Sequence, residues 1–175
     1  MKNRGLHALD PCPFARSFAL WPAMADKPEI LFYHLERQSL EQALPLLVEK
    51  SLQRGWRAAI RCGSTERLDA LDTALWTYRE DSFLPHGRDS EAGAPEEPVL
   101  LTTGTANANK ADVLFIVDRA ATGELSGYVR VVCMFDGRDE EALTEARGFW
   151  KQAKEAGHDL TYWQQDDSGR WQKKA

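Results

Sequence analysis

The chain has 175 residues, of which 43% are hydrophobic and 28% charged, and it carries a formal net charge of −5. That length predicts one domain burying roughly 70% of the surface its unfolded form exposes. The negative balance argues against nucleic-acid binding by bulk charge and leaves only a local basic patch for it, while no stretch approaches the roughly 18 apolar residues that a membrane helix needs.

Lys2 and Arg4 precede a mildly apolar stretch ending in Ala23-Met24-Ala25, but Asp10, Pro11, Pro13 and Arg16 interrupt it, so it does not read as a secretion signal. Residues 1–27 are expected to form a flexible extension. Residues 30–35 read as a buried strand. Ser39 can cap a helix with Leu40, Ala43, Leu44, Leu47, Val48 and Leu52 on one face, stopped by Gly55. Pro45 predicts that this helix starts late or kinks. A second strand at 56–62 and a helix capped by Ser64 or Thr65, with Leu68, Leu71, Ala74 and Leu75 inward, give the order strand–helix–strand–helix. That order predicts parallel strands and right-handed crossovers.

After a loop containing Phe83-Leu84-Pro85-His86, residues 87–97 read as a mobile polar linker. Three more strands are expected at 99–102, 113–117 and 128–135. A last helix over about 139–156 has Asp139, Glu140 and Glu141 in its first turn, Lys154 in its last, and Gly157 as its left-handed cap. Gly148 inside it costs about 1 kcal/mol relative to Ala, which predicts close packing there. Residues 159–165 add an edge strand, and 166–175 a loose tail. The expected fold class is α/β: a single Rossmann-like domain over 28–165, built as a three-layer α/β/α sandwich with a mostly parallel sheet and a C-terminal helix.

Cys12, Cys62 and Cys133 are odd in number and lack C-x-x-C spacing, which reads as reduced thiols in a cytoplasmic protein without disulfides or a zinc site. The run from Gly104 to Lys110-Ala111, with Asp118 ending the following apolar stretch, imitates a phosphate-binding loop. Asn109 replaces the second glycine, Ala111 lacks the metal-binding hydroxyl, and a strand follows where a helix N-terminus should stand. A nucleotide-dependent enzyme using Lys110 and Asp118 is therefore the weaker alternative. Cys62 and Cys133 fall on core strands, and His86 is expected to be an exposed loop residue, so no nucleophile–base pair emerges. No catalytic residue, cofactor or metal is expected.

The last helix is more informative. Arg147, Trp150, Lys151 and Lys154 fall at i, i+3, i+4 and i+7 and share one face, opposite Leu143, Ala146, Phe149, Ala153 and Ala156. Three cations around an aromatic ring form either a solvated face or a pocket for an acidic peptide that ends in an apolar residue. In such a pocket an arginine fork would take the carboxylate and the ring the side chain. Direct binding of single-stranded DNA by stacking on Trp150 is a further alternative, disfavoured by the acidity of the chain. Trp76, Phe83 and Pro85 make a second cluster that either closes the core or anchors another protein.

Several short motifs occur together in order. They are Phe32-Tyr33, Gly55-x-Arg57, Leu71-Asp72-x-Ala74-Leu75-Trp76, Ser82-Phe83-x-Pro85-His86, Pro98-Val99, Asp112-Val113-Leu114 and Ala146-Arg147-x-x-Trp150-Lys151-x-x-Lys154-x-x-Gly157. In these, from about Glu29 to Leu160, the sequence resembles the DNA polymerase III chi subunit family. The resemblance implies a non-catalytic replisome adaptor that links the clamp loader to single-stranded DNA-binding protein by gripping its acidic C-terminal tail, and that meets nucleic acid only indirectly. It implies peptide contacts at Arg147, Trp150, Lys151 and Lys154, with Trp150 where the best-known members carry Tyr and Lys154 where they carry Arg. It also implies a surface for the psi subunit or a helicase at Phe83, near Trp76 and Pro85.

Overall fold

A computed structural model describes residues 27–175. Eight strands and three α-helices follow in the order β1 (Glu29–Leu35), α1 (Leu40–Gln53), β2 (Ala58–Arg61), α2 (Thr65–Thr77), β3 (Gly87–Arg88), β4 (Val99–Thr102), β5 (Val113–Ile116), β6 (Arg130–Asp136), α3 (Glu140–Glu155), β7 (Leu160–Gln165) and β8 (Trp171–Lys173). They build one sheet in the order β3-β4-β2-β5-β6-β1-β7-β8. Every neighbouring pair is parallel except β7 and β8. The expected α/β sandwich with a mostly parallel sheet is what forms.

Central strands β2, β4 and β5 are buried at every position. They read as continuous apolar runs because both faces of the sheet are covered. Leu44 and Val48 of α1 and Leu68, Leu71 and Leu75 of α2 pack on one face, against Ile60, Leu101, Phe115, Val132 and Met134. Ala142, Ala146 and Ala153 of α3 pack on the other, against Phe32, Val131, Cys133 and Phe135. Alanine at these contacts lets α3 lie close to the sheet.

No helix follows β4 or β5, so the connections at 103–112 and 117–129 cover the sheet beside α3 and contribute Ala111, Ala120 and Tyr128 to the core. Arg61, only 1% exposed, ties them down. Its guanidinium donates to the carbonyls of Thr105 (2.9 Å), Ala121 (3.2 Å) and Thr122, and to the Tyr128 hydroxyl (3.4 Å). These bonds give the terminal nitrogens of the buried guanidinium their partners and pin both loops to it. Gly63 meets the same region: a Cβ there would stand 1.9 Å from the Asp118 carbonyl oxygen, so the close approach requires glycine.

Several expectations need correction. The helix after Ser39 starts at Leu40 and carries a buried Pro45 inside it, without a late start. The segment 87–97 contains β3 and a 3₁₀ turn at Ala94–Glu96. Its polar composition hid ties that come from elsewhere, since Arg88 pairs with Asp69 at 2.5 Å and Asp72 at 2.7 Å on α2. Residues 166–175 contain β8, which pairs with β7 and leaves β7 inside the sheet. The Asp166 side chain folds that turn by accepting the N–H groups of Ser168 (2.9 Å) and Arg170 (3.0 Å), and Trp171 then packs edge-on to Tyr33 at 4.7 Å. The expected extension at 1–27 lies outside the described residues except for Lys27, as does Cys12.

Candidate peptide-binding and partner surfaces

Helix α3 begins at Asp139, whose side chain accepts the N–H of Glu141 (2.9 Å) and Ala142 (3.2 Å). At its far end Lys27 donates its ammonium to the Ala156 carbonyl at 2.6 Å, and Gly157 adopts φ 78°. Acids gather in the first half of the helix and cations in the second. In the first half, Glu141 and Glu145 already hold Arg119. In the second, Arg147, Lys151 and Lys154 are exposed, and none has a side-chain ion pair or hydrogen bond among the described residues. Other arginines of this acidic chain are taken by its own carboxylates, among them Arg37, Arg67, Arg79, Arg88, Arg130, Arg138 and Arg170.

Trp150 is half-buried. Its ring meets Phe32 at 5.1 Å and Tyr162 at 6.1 Å, both edge-on, so one side is fixed on the sheet while the helix face around it is cationic. Ala156, expected inward, is exposed. Gly148 is exposed too, and a Cβ there would meet nothing within 4 Å, which overturns the expectation of close packing.

Sequence reasoning missed Tyr162 and His34, which neighbour Trp150 from the sheet side: Trp150 meets the Tyr162 ring and Tyr162 meets His34. Tyr162 pairs with Phe32 across β1 and β7, and its hydroxyl lies 2.7 Å from His34 Nδ1. Burial, together with the nearby Glu36 carboxylate, pushes the phenol pKa up, while the charge of Arg147 pulls it down. Tyr162 follows Leu160 in the alternation of β7, a signal that would have put it on the same face.

The second cluster stands apart on α2 and the loop after it. Trp76 is 54% and Phe83 66% exposed, with ring centroids 5.5 Å apart, so neither closes the core. Pro85 beside them is half-buried. His86 is buried beneath Trp76 at 4.7 Å, contrary to the expectation of an exposed loop residue. Its Nδ1 contacts the Leu84 carbonyl at 2.6 Å and its Nε2 faces Asp72 at 3.4 Å, so α2 and the loop anchor it.

Residues weighed for nucleotide chemistry take structural parts. Asn109 is fully buried and donates to the carbonyls of Ala58 (3.0 Å) and Glu97 (3.1 Å), and Asn107 clamps Ala111. Lys110 is exposed in a left-handed turn that runs into β5. A cleft of about 420 Å³ lies at the C-terminal ends of β1, β5 and β6, where α/β folds commonly bind ligands. Its arginines are already engaged, Arg67 by Glu41 (2.6 Å) and Arg138 by Asp136 (2.8 Å), so none is left uncommitted for a phosphate. Burial pushes the thiols of Cys62 and Cys133 up to about 12, which suits inert core residues.

Residues 28–161 match the family described as DNA polymerase III chi subunit, HolC. The chain belongs to the DNA polymerase III chi subunit family. It is 28% identical over 102 residues to the probable DNA polymerase III subunit chi of Rickettsia prowazekii, covering 57% of this chain and 62% of that protein. It is 29% identical over 115 residues to the DNA polymerase III subunit chi of Pseudomonas aeruginosa, covering 65% of this chain and 78% of that protein. A 31% match to an ATP-dependent zinc metalloprotease of Rhodopirellula baltica covers only 24% of that protein and carries none of its chemistry here. This chi-family chain is thus an accessory component of DNA polymerase III. Among its described residues no helix is long and apolar enough to cross a membrane.

Proposed function

We propose that the protein is a non-catalytic adaptor joining the polymerase III clamp loader to single-stranded DNA-binding protein. The α3 groove takes the acidic C-terminal tail of that partner. One observation carries this: three exposed cations surround a half-buried indole in an acidic chain that neutralises most of its other arginines. Arg147 offers the planar fork for the terminal carboxylate, Trp150 the apolar contact for the last side chain, and Lys151 and Lys154 the field for upstream aspartates. Trp76, Phe83 and Pro85 form the second contact, for the psi subunit or a helicase.

Fluorescence anisotropy with an acidic peptide ending in Phe tests the first contact. Micromolar affinity, about −8 kcal/mol, is expected, weakening as salt rises. Arg147→Ala should cost about 2 kcal/mol. Equal binding by wild type and that variant removes the site.

A further inference from the structure

We infer, resting on the peptide-binding reading above, that Tyr162 is a further recognition residue of the α3 groove, and that His34 controls it. The Tyr162 hydroxyl donates to the partner's terminal carboxylate, and protonation of His34 makes that hydrogen available.

Position comes first. Tyr162 stands beside Phe32 on the face that α3 covers, and Trp150 packs against its ring at 6.1 Å. Arg147, about one turn before Trp150 on α3, is exposed, and its charge pulls the Tyr162 phenol pKa down. Among the described residues the hydroxyl has one hydrogen-bond partner, His34 Nδ1 at 2.7 Å.

His34 is held in place. Phe135 stacks on its ring at 5.2 Å, and a Cβ on Gly137 would stand 1.9 Å from Nε2, so only glycine leaves room for the ring. Nε2 faces the Glu36 carboxylate at 3.5 Å. A carboxylate there favours the hydrogen of the neutral ring on Nε2, which leaves Nδ1 as an acceptor and commits the Tyr162 hydrogen to it. When both ring nitrogens carry hydrogen, Nδ1 donates to the phenol oxygen instead. The Tyr162 hydrogen then turns outward, on the side of Arg147, where a carboxylate can accept from both groups. The charged groups facing this pair are Glu36 beyond β1, Asp136 on β6 with its partner Arg138, and Arg147 on α3. From β7, Gln164 donates to Glu36 at 2.6 Å and adds no charge.

The test is anisotropy on the full chain with an acidic peptide ending in Phe, as free acid and as C-terminal amide, at about pH 6 and about pH 8. Wild type should bind the free acid more tightly at the lower pH by roughly fivefold. Tyr162→Phe, which keeps the ring and its packing, should lose roughly that factor at the lower pH and flatten the profile. The amide should bind the two proteins equally. If Tyr162→Phe binds the free acid like wild type while Arg147→Ala is weakened, Tyr162 has no part and the groove assignment stands. A pH slope unchanged in Tyr162→Phe overturns the role of His34. If wild type does not bind the free acid, the groove assignment and this inference fall together.

Discussion

The indole of Trp150 meets the ring of Phe32 edge-on, with centroids 5.1 Å apart. Trp150 is therefore part of the wedge between α3 and β1, as well as the apolar contact proposed for the peptide. Edge-to-face pairs add about 0.5–1.5 kcal/mol to the area they bury. Trp150→Ala should cost about 2 kcal/mol of stability, discounted for half-burial, and lower the melting temperature by about 4–8 °C. Trp150→Tyr should recover most of both stability and peptide affinity. A thermal melt beside the binding isotherm separates the two roles, and an unchanged melt for Trp150→Ala would deny the structural one.

Phe83 behaves differently because it is 66% exposed, with its ring against that of Trp76. Phe83→Ser should change stability by less than about 0.5 kcal/mol. If this surface is the second contact, the same change should abolish recovery of polymerase III subunits on immobilised protein while leaving acidic-peptide binding intact. Loss of both would show that Phe83 is structural.

The parallel sheet was legible because its central strands, such as 113–116, are unbroken apolar runs, and the α3 face because its residues recur at helical spacing. Strand β8 was not: Trp171 is a lone apolar residue in a polar tail, and its pairing depends on a turn built by the Asp166 side chain. Strand β3 is two residues held by an arginine reaching to α2. The His34–Tyr162 pair joins positions 128 residues apart, which no local period reveals. His86 looked exposed from its loop and is buried because Trp76 folds over it.

Among the described residues Arg61 is the one large cation sealed in the core, and burial lowers its pKa, with Tyr128 opposing that shift. Arg61→Met keeps much of the volume but strips the donors from the carbonyls of Thr105, Ala121 and Thr122. Hydrogen bonds to a charged group contribute about 1.5–3 kcal/mol each, so the urea midpoint should fall. Proteolysis should begin in 103–129. A midpoint within error of wild type would show that water replaces the guanidinium.

At Gly148 stability and binding should move independently. The position is exposed and helical, with open space where a Cβ would stand, so Ala adds helix propensity without a clash. Gly148→Ala should stabilise by about 0.5–1 kcal/mol, seen as a rise in melting temperature of about 1–4 °C. A decrease would show that the groove needs glycine there.

The C-terminal hairpin should be the acid-sensitive part of the fold. The Ser168 hydroxyl, then the Arg170 and Ser168 backbone N–H groups and Gln172, hold the Asp166 carboxyl well below the usual carboxylate range. A depressed folded value means that the ionised form is the one folding favours. Its contribution is complete above the unfolded value of about 3.9 and is lost as pH falls through the folded value. Asp81 beside Arg79 and Asp136 beside Arg138 shift the same way, so the acid limb of global stability has several sources. Asp166→Asn isolates the hairpin. In wild type, amide exchange in β8 should accelerate below about pH 4, before the core strands β2 and β5 respond. In the variant, β8 should exchange rapidly already at neutral pH and show little further acid dependence. Protection of β8 that is equal in both proteins across that range would show that the Trp171–Tyr33 packing, and not the Asp166 turn, closes the sheet on this side.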